Sequence, residues 1–100
     1  METIYVIVGK DIVDGLSNDE VYANQIRELE RITRHEKPVF ANGFLKCVPE
    51  GLEKRINGDS DVELRICGAY AHREVQIQQT ALQVRGYNAN AYEPACIRQI

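Results

Sequence analysis

Apolar and polar residues alternate along the chain in blocks that predict strands and helices in turn. Residues 4–8 (IYVIV) are a continuous run of β-favouring residues, which is typical of a strand covered on both faces. Residues 9–15 contain two glycines and two aspartates, so this stretch predicts a loop. β-Favouring stretches at residues 39–41, 62–67 and 88–92 predict three more strands.

Three helices are predicted between these strands. Ser17 with Glu20 three residues later forms a capping box, which predicts an amphipathic helix from there to about Arg34. Pro49 suits the first turn of a second, short helix. Residues 72–85 predict the third helix, since a glycine follows directly at the position that closes helices.

The resulting order is β-α-β-α-β-α-β, in a single domain covering residues 1–100. Strand–helix alternation predicts an α/β fold of Rossmann-like, three-layer α/β/α type, with a mainly parallel sheet of about four strands. Ligands of such folds bind beyond the carboxyl ends of the strands. Four segments stand at those predicted ends: residues 9–11, 42–44, 68–72 and 93–96.

Composition narrows the function classes. Hydrophobic residues make up 44% of the 100 residues and charged residues 27%, as in globular proteins. The net charge of −3 and the scattered basic residues argue against a nucleic-acid partner. No apolar run approaches the roughly 20 residues that cross a bilayer, and the first residues lack a signal-peptide layout, so we expect a cytoplasmic protein without membrane contact. A domain this short buries a modest core, which favours a homo-oligomer.

Cofactor and metal chemistry have no support in the sequence. The three cysteines (Cys47, Cys67 and Cys96) form no Cys-x-x-Cys or Cys/His cluster, so neither a disulfide framework nor a metal site is predicted. Cys67 ends an apolar run and is expected to be buried. No phosphate-binding loop or dinucleotide fingerprint is present, and we therefore expect no cofactor.

One segment carries a specific resemblance. Residues 64–72 (LRICGAYAH) place an apolar strand before a Gly-x-Tyr-Ala-His turn. This segment resembles the isochorismatase-like hydrolases, or cysteine hydrolase superfamily, and within it the branch that hydrolyses isochorismate and related vinyl ethers. Weaker similarity covers most of residues 24–97, including GLEKRI at 51–56 and the Thr-Ala, Arg-Gly-Tyr and Ala-Cys groups further on.

The resemblance implies a site that this sequence lacks in part. The family's hydrolases use an aspartate after the first strand, a lysine near the middle and a nucleophilic cysteine on the helix after the turn. Here Gly9 follows the first strand directly, and Glu74 stands six residues after Gly68, where the cysteine is expected. The isochorismate-cleaving branch also lacks the cysteine and relies on the aspartate as proton donor, so Gly9 is the more serious departure.

These departures, and a chain about half as long as most members, favour a shortened and non-catalytic relative. Such a pseudoenzyme would bind a small ligand or a protein partner, as a homo-oligomer. The residues predicted to line its ligand site follow the third strand: Gly68, Tyr70, His72 and Glu74.

Two alternatives stay open. The first is a working hydrolase with a rearranged site, in which Asp11 is the acid/base, Lys37 an electrostatic helper, and His72 positions the substrate together with Tyr70. The second is a small regulatory or inhibitor protein acting through the third helix, whose residues 75–84 carry no charge. In that helix we expect Ile77, Ala81 and Val84 to face the sheet and Gln78 to face outward, where Gln78→Arg would probe a partner.

Overall fold

The computed structural model describes residues 2–41, 47–58 and 61–98. Within these residues four strands form one all-parallel sheet with the spatial order β2-β1-β3-β4. The strands are β1 (Glu2–Val8), β2 (Val39–Ala41), β3 (Val62–Ala69) and β4 (Asn88–Ile97). This confirms the predicted α/β fold with a parallel sheet of four strands. The predicted strand end at residues 42–44 lies outside the described residues.

Four α-helices and one short 3₁₀-helix are described. They are α1 (Lys10–Gly15), α2 (Ala23–His35), α3 (Leu52–Ile56) and α4 (Glu74–Gln83), with the 3₁₀-helix at Glu20–Tyr22. None of the described helices is long and apolar enough to cross a membrane.

Helix α1 corrects the prediction of a loop over residues 9–15. Its first backbone hydrogen bond runs from Val13 N to Gly9 O (3.0 Å), and an ion pair joins Lys10 to Asp14 one turn later. Such i,i+4 pairs support a helix even where glycines flank it. Gly9 therefore starts a helix directly at the end of β1.

The start of α2 also differs from the prediction. Asp19, and not Ser17, is the N-cap residue: its carboxylate accepts a hydrogen bond from Val21 N (3.0 Å) and opens the 3₁₀-helix. Aspartate is as strong an N-cap as serine, and Asp19 directly precedes the 3₁₀-helix. The 3₁₀-helix then continues into α2.

Strands β3 and β4 are longer than predicted. β3 continues through Gly68 and Ala69, and β4 continues to Ile97, so residues 93–96 lie within a strand and not at its end. The ladder shifts register between the Ile66–Ala91 and Gly68–Cys96 pairs. Pro94 lies in this irregular stretch, because a proline cannot donate to the ladder and is tolerated at a bulge.

Strand β1 is covered on both faces, as its apolar run predicts. Ile4, Val6 and Val8 are fully buried, and Tyr5 and Ile7, which alternate with them, are buried on the opposite face. Ile7 lines a cavity with residues of α1 and α2. Tyr5 packs edge-on against Tyr92, with ring centroids 5.4 Å apart.

A polar network fixes α2 over β4. The Tyr92 hydroxyl donates to Glu28 Oε1 (3.1 Å), and Arg31 Nε donates to the same oxygen (2.8 Å). The hydrogen bond from Arg31 is the main cause that holds the pKa of Glu28 below its usual value. The guanidinium of Arg65 lies 5.9 and 5.6 Å from the ring centroids of Tyr5 and Tyr92. The bonds among Glu28, Arg31 and Tyr92 therefore hold α2 on β4.

Candidate functional site

The carboxyl ends of β1 and β3 touch through two glycines. A Cβ atom at Gly68, where φ is +113°, would lie 2.1 Å from Val8 O. A Cβ atom at Gly9, where φ is +64°, would lie 2.3 Å from Ala69 O. Real Cβ contacts are never this short, so both positions require glycine for backbone approach. Gly9 therefore occupies a place with no room for a larger side chain.

The turn after β3 is held by main-chain bonds to α4 and β4. The Ala69–Tyr70 peptide bond is cis. Tyr70 O accepts hydrogen bonds from Arg73 N (3.1 Å) and Val75 N (3.2 Å), and Ala71 N donates to Ile97 O (2.8 Å). The turn is therefore tied to both elements that flank it.

Glu74 completes this turn from the first residue of α4. Its Oε2 accepts a hydrogen bond from Tyr70 N (3.0 Å), and its Oε1 accepts one from Arg73 Nε (2.5 Å). Burial alone would raise the pKa of Glu74, but these hydrogen bonds outweigh it and the pKa lies below its usual value. Both carboxylate oxygens are engaged, so Glu74 stabilises the turn.

Glu74→Gln is expected to lower the free energy of unfolding by about 1 kcal/mol at pH 7, because it removes a charge-assisted hydrogen bond at a partly exposed site. A carboxyl with a depressed folded pKa stabilises the fold above its unfolded pKa of about 4.3, and this contribution is lost as the pH falls through the folded value. Urea unfolding at pH 7 and at low pH checks this: the difference from wild type should vanish at low pH. Glu53→Gln on α3 is the control, with no difference expected at either pH.

Lys37 does not lie with the other two predicted catalytic residues. Asp11 lies exposed in the first turn of α1, and His72 lies exposed in the turn before α4. Among the described residues no hydrogen bond or ion pair joins them. Lys37 lies exposed just before the amino end of β2, whereas Asp11 and His72 follow the carboxyl ends of parallel strands. The structure therefore separates Lys37 from the other two along the strand direction.

The predicted ligand residues follow one another at the carboxyl end of β3: Gly68 lies in the strand, Tyr70 and His72 in the turn, and Glu74 at the start of α4. The ring of Tyr70 is half-buried and the Arg73 guanidinium carbon lies 5.2 Å from its centroid. Tyr70, His72 and Arg73 form what we call the carboxyl-edge surface. Arg73 was missed by the sequence reasoning, although its position beside His72 places it on the same strand exit.

The two buried cysteines are unsuited to nucleophilic chemistry. Cys67 is 0% and Cys96 2% exposed. Burial raises the pKa of Cys67 far above its usual value and raises that of Cys96 to about 12. A thiol with such a pKa holds almost no thiolate at neutral pH. The burial predicted for Cys67 is confirmed. No group of three metal-ligating side chains occurs in the described part of the chain.

Helix α4 turns a different face to the sheet than predicted. Val75, Gln78 and Leu82 are fully buried, whereas Ile77 is 36% and Val84 74% exposed. Only Ala81 of the three expected residues is buried. Gln78 donates from Nε2 to Cys47 O (3.1 Å) on the side of α3, so Gln78→Arg would disrupt the core and cannot serve as a surface probe.

A cavity of about 240 Å³ lies between α1 and α2. Four apolar side chains form its floor: Ile7, Val13, Ile26 and Leu29. Charged side chains of both helices, including Lys10 and Arg34, stand around it. The sequence did not predict this cleft, because residues 9–15 were expected to form a loop and α1 provides one of its walls. The i,i+4 spacing of Lys10 and Asp14 is the sequence signal that could have revealed α1.

Comparison with known proteins gives no match: no family model matches the chain, and neither does any curated protein or solved structure. The resemblance to the isochorismatase-like hydrolases therefore stays a prediction from the sequence.

Proposed function

We propose that this protein is a shortened, non-catalytic relative of the isochorismatase-like hydrolases that binds a small ligand at the carboxyl-edge surface. The observation that carries the proposal is the approach of Gly9 to Ala69. A Cβ atom at the position of the family's aspartate would lie 2.3 Å from Ala69 O. A carboxylate at this position would have to displace the backbone of β3.

The remaining groups favour binding over bond cleavage. Protonation of a vinyl ether needs a proton donor beside the substrate, and attack on an amide needs an activated nucleophile. Glu74 already accepts two hydrogen bonds, and both buried thiols are un-ionised. The half-buried ring of Tyr70 offers a stacking face, and His72 and Arg73 offer hydrogen-bond donors. This set suits a ring-bearing ligand with a hydrogen-bond acceptor.

Amide chemical shifts measured during titration test the location of binding. With isochorismate as the probe, we expect the largest changes in residues 68–73. His72→Ala should weaken binding about tenfold, the usual effect of losing one hydrogen bond to a ligand. His35→Ala, at the end of α2, is the control and should bind as wild type does. Shifts confined to other parts of the chain, or equal affinity of wild type and His72→Ala, would refute the proposal.

A second candidate function, self-association, is favoured by two exposed apolar residues, Ile77 on α4 and Val84 directly after it. Ile77 and Val84 are seven residues apart and so lie on one side of the helix, with the small Thr80 and Ala81 between them. In a two-fold antiparallel pairing centred on Thr80 and Ala81, Ile77 of each copy would meet Val84 of the other, as an isologous interface requires. Residues 75–84 carry no charge, which lowers the cost of desolvation.

Val84→Arg is expected to shift the protein from dimer to monomer in sedimentation velocity runs at matched concentration. In the dimer, the new guanidinium of each copy would face the apolar Ile77 of the other copy, and burying an unpaired charge is costly. Val21→Arg is the matched control, since Val21 is 62% exposed on the 3₁₀-helix, away from α4. A monomeric wild type, or equal dissociation by both variants, would contradict self-association through α4.

A further inference from the structure

The cleft between α1 and α2 has the properties of a small ligand site away from the carboxyl-edge surface. Its floor residues are buried within the fold: Ile7 is 1%, Val13 7%, Ile26 6% and Leu29 3% exposed. Its volume of about 240 Å³ lies below the roughly 300–1,000 Å³ of pockets for drug-sized ligands. An apolar floor of this size fits a short aliphatic or aromatic group.

Two opposite charges on the rim have no partner in the described part of the chain. Glu30 and Arg34 both line the cavity and stand one turn apart on α2. The other two charged rim residues, Lys10 and Asp14, pair with each other. An exposed i,i+4 pair between Glu30 and Arg34 would be weak, so a ligand loses little by separating them. As far as the described residues show, the rim therefore offers one free carboxylate and one free guanidinium.

A ligand that satisfies all three features is a zwitterion with an apolar side chain. A plain carboxylic acid would leave Glu30 unpaired, and a plain amine would leave Arg34 unpaired. We propose that this cleft binds a free apolar α-amino acid, with its carboxylate on Arg34, its ammonium on Glu30 and its side chain on the floor formed by Ile7, Val13, Ile26 and Leu29.

Three nearly isosteric probes separate the contributions: leucine, leucinamide without the carboxylate, and 4-methylpentanoate without the amine. Isothermal titration should show that leucine binds about tenfold more tightly than either analogue, since each lost contact is a charge-assisted hydrogen bond. Equal affinity of leucine and 4-methylpentanoate would overturn the proposal, as would no detectable binding of leucine at millimolar concentration.

Variants of the rim assign each contact. Arg34→Gln should weaken leucine about tenfold and leave leucinamide unchanged, whereas Glu30→Gln should weaken leucine and leave 4-methylpentanoate unchanged. Arg27→Gln is the matched control, because Arg27 lies on the same helix but bonds Asn24 and Ala23 instead of lining the cleft. Circular dichroism confirms that each variant is folded. Unchanged leucine affinity in Arg34→Gln would overturn the proposal.

Binding at this cleft is distinguishable from the proposed function. Amide shifts caused by leucine should fall on α1 and α2, and those caused by isochorismate on residues 68–73. Either proposal can fail without the other, because the two probes are expected to shift different residues and the two sets of variants change different residues.

Discussion

Gly68→Ala is expected to lower the free energy of unfolding by about 2–5 kcal/mol. The new Cβ would lie 2.1 Å from Val8 O, and the adjacent strands β1 and β3 are paired without a break from Glu2–Val62 to Val8–Gly68, so neither backbone can move freely. An overpacked core site costs about 1–3 kcal/mol, and a left-handed backbone conformation adds about 1–2 kcal/mol for a residue with a side chain. For a domain of this size, the midpoint of thermal unfolding should fall by at least about 8 °C.

Two glycine variants separate the contributions of clash and backbone conformation. Gly86 also has a positive φ, +91°, but a Cβ there meets nothing within 4 Å, so Gly86→Ala should cost about 1 kcal/mol. Gly15 has neither constraint, and Gly15→Ala should change stability by less than about 1 kcal/mol. Equal destabilisation by Gly68→Ala and Gly86→Ala, in urea unfolding, would contradict the contact between β1 and β3.

Gly9→Asp, which introduces the family's aspartate, is expected to destabilise the protein by about 2–3 kcal/mol and to create no hydrolytic activity. Aspartate tolerates a φ of +64° better than most residues, so the main cost is steric: its Cβ would lie 2.3 Å from Ala69 O. The carboxylate would also stand beside a carbonyl oxygen, and like partial charges repel. Chemical denaturation of the variant measures the loss.

Gly86→Asp is the matched control for this substitution. It introduces the same side chain at a positive φ, in open space. We expect it to cost no more than about 1 kcal/mol. A Gly9→Asp variant as stable as Gly86→Asp would mean that the end of β1 has room for a carboxylate, which would remove the main support for a non-catalytic protein.

The sheet could be predicted from sequence because its strands are marked by apolar runs, and parallel pairing follows from the intervening helices. Helix α1 could not, because Gly9 and Gly15 favour a loop locally and the Lys10–Asp14 pair is a weak signal. The length of β4 was missed since Pro94 normally ends a strand, whereas here the register shift places it in a bulge.

Part of the site could be predicted as well. The turn at Gly68–His72 lies at a strand exit, where the pattern placed it, with its start moved two residues by the extension of β3. The faces of α4 were misassigned because Gln78, a polar residue, takes a core position, and a hydrophobicity pattern cannot anticipate its bond to Cys47 O. The cleft between α1 and α2 depends on the contact of two helices, which no local pattern contains.

The central claim is that the protein has a family-like turn without hydrolytic chemistry. Product formation from isochorismate and from benzamide, followed by liquid chromatography with wild type and with His72→Ala, tests it most directly. We expect that neither protein forms product from either compound faster than the buffer control does. Turnover by wild type that exceeds the buffer rate and is lost in His72→Ala would contradict the account.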